Sequence, residues 1–177
     1  MKEFPIIKTE RLILSELKKE DIPYIVEYLQ EKVFSEHTSN IPFPYRHEDA
    51  EFWLKISREA FERNEGYTFA IRDGNNKILG AVGIHHRGNN AAELGYWVAK
   101  PFWNKGYATE AAKAVIDFGF KGLKFHKIYA THFLYNPSSG KVMQKAGMEQ
   151  EAVLKQHIRK NEEYFDVVMY SVFKKND

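Results

Sequence analysis

The chain has no cysteine in its 177 residues. Disulfides, thiolate metal sites and a cysteine nucleophile are therefore excluded, which fits the cytoplasm. An excess of one charge is missing as well. The 26 Lys and Arg against 24 Asp and Glu leave a formal net charge of +2. Nothing in that balance drives the chain toward nucleic acid or an anionic membrane. No apolar run approaches the length of a membrane span. The opening residues, Met1-Lys2-Glu3-Phe4-Pro5, carry no signal-peptide core. Linkers, low-complexity tracts and internal repeats are not found.

What is present suits one domain over residues 1–177. Hydrophobic residues make up 44% and aromatic residues 15%, enough to bury a real core at this length. The elements alternate. Arg11–Leu17 reads as a strand. Glu20-Asp21 opens a helix toward Leu29, with Pro23 tolerated in its first turn. Phe34–His47 is expected to be irregular, since Pro42 and Pro44 break both periods. Glu48–Arg63 reads as an amphipathic helix with Phe52, Trp53, Ile56 and Ala60 inward. Strands Tyr67–Arg72 and Lys77–His86 flank Asp73-Gly74-Asn75-Asn76, a hairpin signal. A second turn at Gly88-Asn89-Asn90 leads into the strand Ala91–Val98. A helix Ala108–Leu123 follows, then a strand His126–Leu134 and a short helix Pro137–Ala146 closed by Gly147. Two strands finish the chain, Glu149–Ile158 and Tyr164–Phe173, with Arg159-Lys160 in the hairpin turn. This order predicts an α/β fold with a mixed sheet.

The most informative stretch runs from Glu93 to Ala112. It reads as strand, loop and helix. A helix start carries unpaired N–H groups and the positive end of the helix dipole, a ready site for a pyrophosphate. Asn104 and Gly106 in the loop tolerate positive φ and let a ligand approach the backbone. On these residues alone, a crossover without a ligand remains an equal reading. A P-loop does not fit, because no Lys-Ser/Thr follows the glycine.

Trp103-Asn104-Lys105-Gly106-Tyr107-Ala108 resembles the coenzyme A motif (Gln/Arg)-x-x-Gly-x-(Gly/Ala) of the GNAT superfamily of N-acetyltransferases. The wider string, Glu-Leu-Gly-Tyr-Trp-Val followed by Trp-Asn-Lys-Gly-Tyr-Ala-Thr-Glu-Ala, is similar to the branch of ribosomal-protein N-terminal acetyltransferases. Trp103 stands where the motif has Gln or Arg, and Asn104 where the branch has Gly. The element order resembles this family over nearly the whole chain. It implies the acyl-CoA N-acyltransferase fold, with a mixed, mostly antiparallel sheet flanked by helices. Asn136-Pro137-Ser138-Ser139-Gly140-Lys141-Val142-Met143-Gln144-Lys145-Ala146-Gly147-Met148 resembles the family's Asn-x-x-Ser-x-x-Val-x-x-Lys-x-Gly-Phe, with Met148 in place of Phe.

The resemblance implies acetyl-CoA as co-substrate and an amine as acceptor. Trp97, Val98, Trp103, Asn104, Lys105, Gly106, Tyr107, Ala108, Thr109, Asn136, Ser139 and Lys141 would hold the coenzyme. Val98 would supply the N–H that holds the thioester carbonyl, a donor that the tetrahedral intermediate of acyl transfer needs. Glu93 shares a strand face with Gly95 and Trp97 and is the general-base candidate, directly or through water. Its plainer role is an edge carboxylate paired with an arginine. Ser139 is the candidate acid toward the departing sulfur, or a helix cap. Some relatives use a Tyr at the position of Met143, which has no proton to give. Lys141 and Lys145 would face adenosine phosphates or solvent. His37, Phe43 and Tyr45, on the irregular segment, would shape the acceptor pocket.

Branch similarity points to a protein N-terminal α-amine as acceptor, with a polyamine or aminoglycoside as the alternative. A non-catalytic acyl-CoA-binding module is a further reading, and a homodimer is one assembly the resemblance suggests. No metal is expected. His85 and His86 are adjacent on a strand and point to opposite faces.

Overall fold

A computed structural model describes residues 2–175. Eight strands form one open sheet: β1 (Ile7–Lys8), β2 (Ile13–Glu16), β3 (Gly66–Arg72), β4 (Ile78–His86), β5 (Ala91–Val98), β6 (Lys127–Phe133), β7 (Glu149–Lys160) and β8 (Glu163–Phe173). Their spatial order is β1-β2-β3-β4-β5-β6-β8-β7. Every pair is antiparallel except β5 with β6. The helices are α1 (Ile22–Leu29), α2 (Lys32–His37), α3 (His47–Glu62), α4 (Tyr107–Lys121) and α5 (Pro137–Lys145).

The sheet is buried on both sides at its centre. All seven residues of β3 are buried, so its sequence GYTFAIR has little polar relief. One face packs α4 and α5 through Ala111, Ala112, Val115, Ile116 and Met143 onto Ile84, Leu94 and Ile128. The other face packs α1, α2 and α3 through Ile25, Leu29, Phe34 and Ala50 onto Ala70 and Ile78. Strand alternation sends Leu94, Tyr96 and Val98 of β5 to the first cluster and Trp97 to the second.

The parallel pair is where the sheet opens. A parallel connection needs a crossover, here α4. Yet β5 and β6 pair only over Ala91–Glu93 with Lys127–Tyr129. Beyond Glu93 the strands part. β5 continues on β4 up to Val98, and β6 continues on β8 up to Phe133. A V-shaped gap opens between them.

Four expectations are corrected. The strand Arg11–Leu17 shortens to β2 and gains a partner in β1, whose two residues carry no readable period. Phe34–His47 is not wholly irregular: its first residues belong to α2, since Pro42 and Pro44 constrain only the chain after it. In α3 the buried positions are Ala50 and Phe61, with Trp53 and Leu54 partly buried. Phe52 and Ile56 are exposed. Apolar residues lie on more than one side of that helix, and packing against α1 and β3 selects the stripe. Finally, β7 runs through Arg159 and Lys160, and the turn falls at Asn161 and Glu162, both with positive φ.

Candidate active site

A cavity of about 480 Å³ fills the gap. Its walls come from both sides of the sheet. Tyr96, Trp97 and Val98 of β5 form its spine. Asn104, Gly106, Tyr107, Ala108 and Thr109 of the loop–helix junction lie at one end, with Asn136, Ser139, Lys141 and Lys145 of α5 beside them. Val33, Phe34, His37 and Thr38, on and just after α2, close the opposite side. The cavity therefore passes through the sheet, which lets two ligands meet from opposite faces.

A backbone N–H of β5 is left facing the gap. Ala99 N–H donates to Leu79 O at 2.8 Å, across toward β4. Backbone groups of successive strand residues point to alternate sides. Val98 N–H thus points away from β4, into the gap. The Val98 carbonyl points the same way and accepts the Trp103 indole N–H.

The helix start is shaped as the sequence suggests. Gly106 has φ +80 and Asn104 φ +61, both left-handed, so the chain turns sharply and opens the first N–H groups of α4. A network holds this turn from behind. Arg11 Nη1 donates to the Lys105 carbonyl at 2.9 Å, Arg11 Nε to Glu110 Oε2 at 2.7 Å, and Thr9 Oγ1 to Glu110 Oε1 at 2.6 Å. Burial works to raise the Glu110 pKa, but bonds from Thr9 and Arg11 outweigh it and hold the carboxyl below its ordinary range. The one acidic side chain in the first turn of α4 is thereby engaged and does not oppose an anion.

Aromatic rings form the α2 side. Phe34 meets Trp97 and Trp103 edge-on, at centroid distances of 5.9 and 6.0 Å. On the α5 side, the Tyr96 hydroxyl donates to the Ser139 carbonyl at 2.8 Å and lies 3.0 Å from Ser139 Oγ. Burial pushes the Tyr96 phenol well above its usual range, and the Ser139 contact opposes this only in part. The phenol stays protonated.

Glu93 stands at the apex of the gap, as the last β5 residue paired with β6. It is not among the cavity's lining residues. Arg87 Nε donates to it at 2.8 Å, so the arginine pairing is realised. His85 faces it across β4 and Tyr129 across β6. Burial, and then the Arg87 charge, lower the His85 pKa against the raising effect of Glu93. Next on the same face is Gly95, where an added Cβ would meet nothing within 4 Å.

Of the other expected site residues, His37 lines the cavity. Phe43 does not, and it is exposed. Tyr45 is buried in the α1–α3 cluster, where its ring is worth more as core than as a ligand contact. Lys105 also lies outside, its Nζ 5.6 Å above the Phe102 ring. Asn136 is the N-cap residue of α5, so neither Ser138 nor Ser139 caps it. Among the described residues no three His, Asp or Glu side chains are grouped to hold a metal ion, and no helix is long and apolar enough to cross a membrane. Sequence reading misses Val33, Phe34 and Thr38, and gives Tyr96 no role. Alternation along β5 places Tyr96 opposite Glu93, but nothing local shows that it meets Ser139, 43 residues away.

The family profile described as an acetyltransferase (GNAT) domain matches residues 11–149. The chain is 32% identical to the uncharacterized N-acetyltransferase YnaD of Bacillus subtilis over 94% of its length and 95% of that protein's. A GNAT-family acetyltransferase from Bacillus anthracis superposes with a TM-score of 0.85 at 29% identity, covering 96% of this chain and 98% of the other. RimL, a ribosomal L7/L12 α-N-protein acetyltransferase solved with coenzyme A, shares the fold at a TM-score of 0.87 and 18% identity, over 98% and 100% of the two chains. The chain belongs to the GNAT family, acetyl-CoA-dependent enzymes that acetylate amines.

Proposed function

We propose that the protein transfers the acetyl group of acetyl-CoA to a protein N-terminal α-amine in the cytoplasm. The observation that carries this reading is the acceptor wall. Val33, Phe34, His37, Thr38 and Trp97 include no carboxylate, and among the described residues the cavity lining has none. A polyamine or aminoglycoside brings several positive charges, which are costly to bury without counter-charges. An α-amine brings one, and its ordinary pKa of about 7.7–8.0 leaves it partly neutral already.

The coenzyme fits the remaining walls. Its pyrophosphate would sit on the amides of Gly106–Thr109, helped by the dipole of α4. Lys141 and Lys145 would face its phosphates, and Asn136 would bond a pantetheine amide. Val98 N–H would hold the thioester oxygen, where negative charge develops as the amine attacks. The N–C bond forms and the C–S bond breaks, with its electron pair leaving on sulfur near Ser139. Glu93 would receive the amine's proton. It lies four residues from Trp97, roughly 13 Å along a strand, so the transfer runs through water, for which Gly95 leaves room.

Thiol release from acetyl-CoA across an acceptor panel tests this reading, and a cysteine-free chain adds no background. Release with free-N-terminal peptides, and not with N-blocked lysine peptides, polyamines or aminoglycosides, is expected. Release with polyamines or drugs alone would overturn the acceptor assignment. Glu93→Gln should lower the rate about 100-fold near neutral pH and recover as rising pH deprotonates the amine. A full rate at neutral pH would remove Glu93 from the reaction.

A further inference from the structure

The Tyr96–Ser139 contact joins β5 to α5 across the cavity wall, at 2.8 Å to the Ser139 carbonyl and 3.0 Å to its Oγ. Tyr96 lies two residues before Val98 on the same strand face, roughly 7 Å along the strand. The hydroxyl pair therefore flanks the place where the thioester is to be held. We infer that Tyr96 is a positioning residue for the leaving group: its hydroxyl holds the Ser139 O–H so that the pair, acting as a unit, donates to the sulfur of coenzyme A. The inference rests on the coenzyme A reading of the cavity.

Each hydroxyl has one donor and two lone pairs. With the Tyr96 proton on the Ser139 carbonyl, Ser139 can give its own proton to the Tyr96 oxygen. With the Tyr96 proton turned onto Ser139 Oγ, the Ser139 proton is free for a third atom. One O–H rotation separates the two arrangements, and a sulfur gathering negative charge selects the second. A serine hydroxyl in a helix otherwise tends to bond back to the carbonyl one turn earlier, so a lone Ser139 would be a poorer donor.

Neither hydroxyl needs to lose its proton. A thiolate is a weaker base than a phenolate, and burial raises the Tyr96 phenol further. Full transfer would run uphill. The pair stabilises the thiolate by hydrogen bonding instead. The C–S electron pair stays on sulfur, the amine's proton passes to Glu93 and water, and coenzyme A takes up its proton from solvent. Ser139 is then a hydrogen-bond donor rather than the terminal acid.

The test uses free coenzyme A, so it requires no acceptor. The bound thiol is the only one in a cysteine-free complex, and its thiolate is read by ultraviolet absorbance across pH. Wild type should hold bound coenzyme A at a thiolate-to-thiol ratio about tenfold that of free coenzyme A at the same pH, the scale of a hydrogen bond to a charged group. Tyr96→Phe and Ser139→Ala should each lose most of that enrichment. The double variant should lose no more than Ser139→Ala, because the residues act as a unit. 3-Fluorotyrosine at position 96, a stronger donor of the same shape, should raise the enrichment above wild type even if Tyr96→Phe folds poorly. Wild-type enrichment in Tyr96→Phe, losses that multiply in the double variant, or no rise with fluorotyrosine would each overturn the inference. Wild-type protein that does not bind coenzyme A would instead remove the reading of the cavity itself.

Discussion

Arg11 Nε sits 2.7 Å from Glu110 Oε2, although 99 residues separate the two in sequence. The same guanidinium carries the Lys105 carbonyl at 2.9 Å and lies 4.8 Å over the Tyr107 ring. The segment between β1 and β2 thus braces the turn whose amides are assigned to the pyrophosphate. Sheet edge and ligand site are mechanically one unit at this point.

Glu110→Gln should show this through pH. The Glu110 carboxyl is held below the ordinary carboxylate range, despite burial, by Thr9 and Arg11. A carboxyl depressed in the folded state adds stability that is complete above the unfolded pKa. That stability disappears as pH falls through the lower folded value. The variant should therefore be less stable by about 1 kcal/mol at neutral pH, and the difference should close as acid titrates the wild-type group. Urea unfolding at neutral and at successively lower pH checks it. A difference that is constant with pH would detach Glu110 from the effect.

Gly106→Ala separates binding from chemistry. At φ +80 a side chain costs about 1–2 kcal/mol, and the new Cβ would come 3.3 Å from Arg11 Nη2. The turn relaxes, and the amides of α4 lose their aim. Calorimetry should find weaker coenzyme A binding, by about tenfold, with kcat at saturating acetyl-CoA little changed.

The Asp21–Arg72 pair tests the other face. Arg72 donates to both Asp21 oxygens at 2.7 and 2.6 Å, with the side chains only 3% and 6% exposed. Arg72 also bonds Ser15 Oγ and the Glu16 carbonyl, so the charge is fully met. Asp21→Ala strands a buried guanidinium and should cost about 3–5 kcal/mol. Replacing both residues with apolar ones should cost less than the single change. Chemical denaturation of the three proteins gives the comparison.

Much of this is legible locally. Asn104 and Gly106 are residues that accept positive φ, and both adopt it. Gly147 ends α5 at φ +92, and Asp73 closes its hairpin through its own side chain. These features depend on a few neighbouring residues, which the sequence displays. The gap between β5 and β6 is not legible locally, because its cause is a parting of two strands joined by a whole helix. Tyr45 is misjudged from sequence because an aromatic on a loop reads the same whether it lines a pocket or fills a core. Its neighbours Ile22 and Leu29 come from another element. Lys160 reads as a turn residue because its partners, Ser35 and Thr38, lie more than a hundred residues earlier.

Lys160 gives the last prediction. Its Nζ donates to the main-chain carbonyls of Ser35 and of Thr38, the latter at 2.7 Å. The Tyr135 hydroxyl donates to the Glu36 carbonyl at 2.7 Å. These carbonyls close α2, where helix acceptors lack internal partners and the dipole is negative. Burial lowers the Lys160 pKa and the Glu36 carboxylate only partly restores it. The ammonium is held by carbonyls rather than by a paired carboxylate. Since Phe34, His37 and Thr38 line the cavity on the side proposed for the acceptor, Lys160 sets that wall from a strand at the far edge of the sheet. Lys160→Met should raise hydrogen exchange across Lys32–Thr38 and lower kcat/KM for the acceptor about tenfold, the scale of a hydrogen bond to a charged group. The Kd of acetyl-CoA should move less, because Ser35 and Thr38 lie on and just after α2 and not on α4 or α5. Weaker acetyl-CoA binding with an unchanged acceptor KM would show instead that the two sides of the cavity cannot be loosened separately.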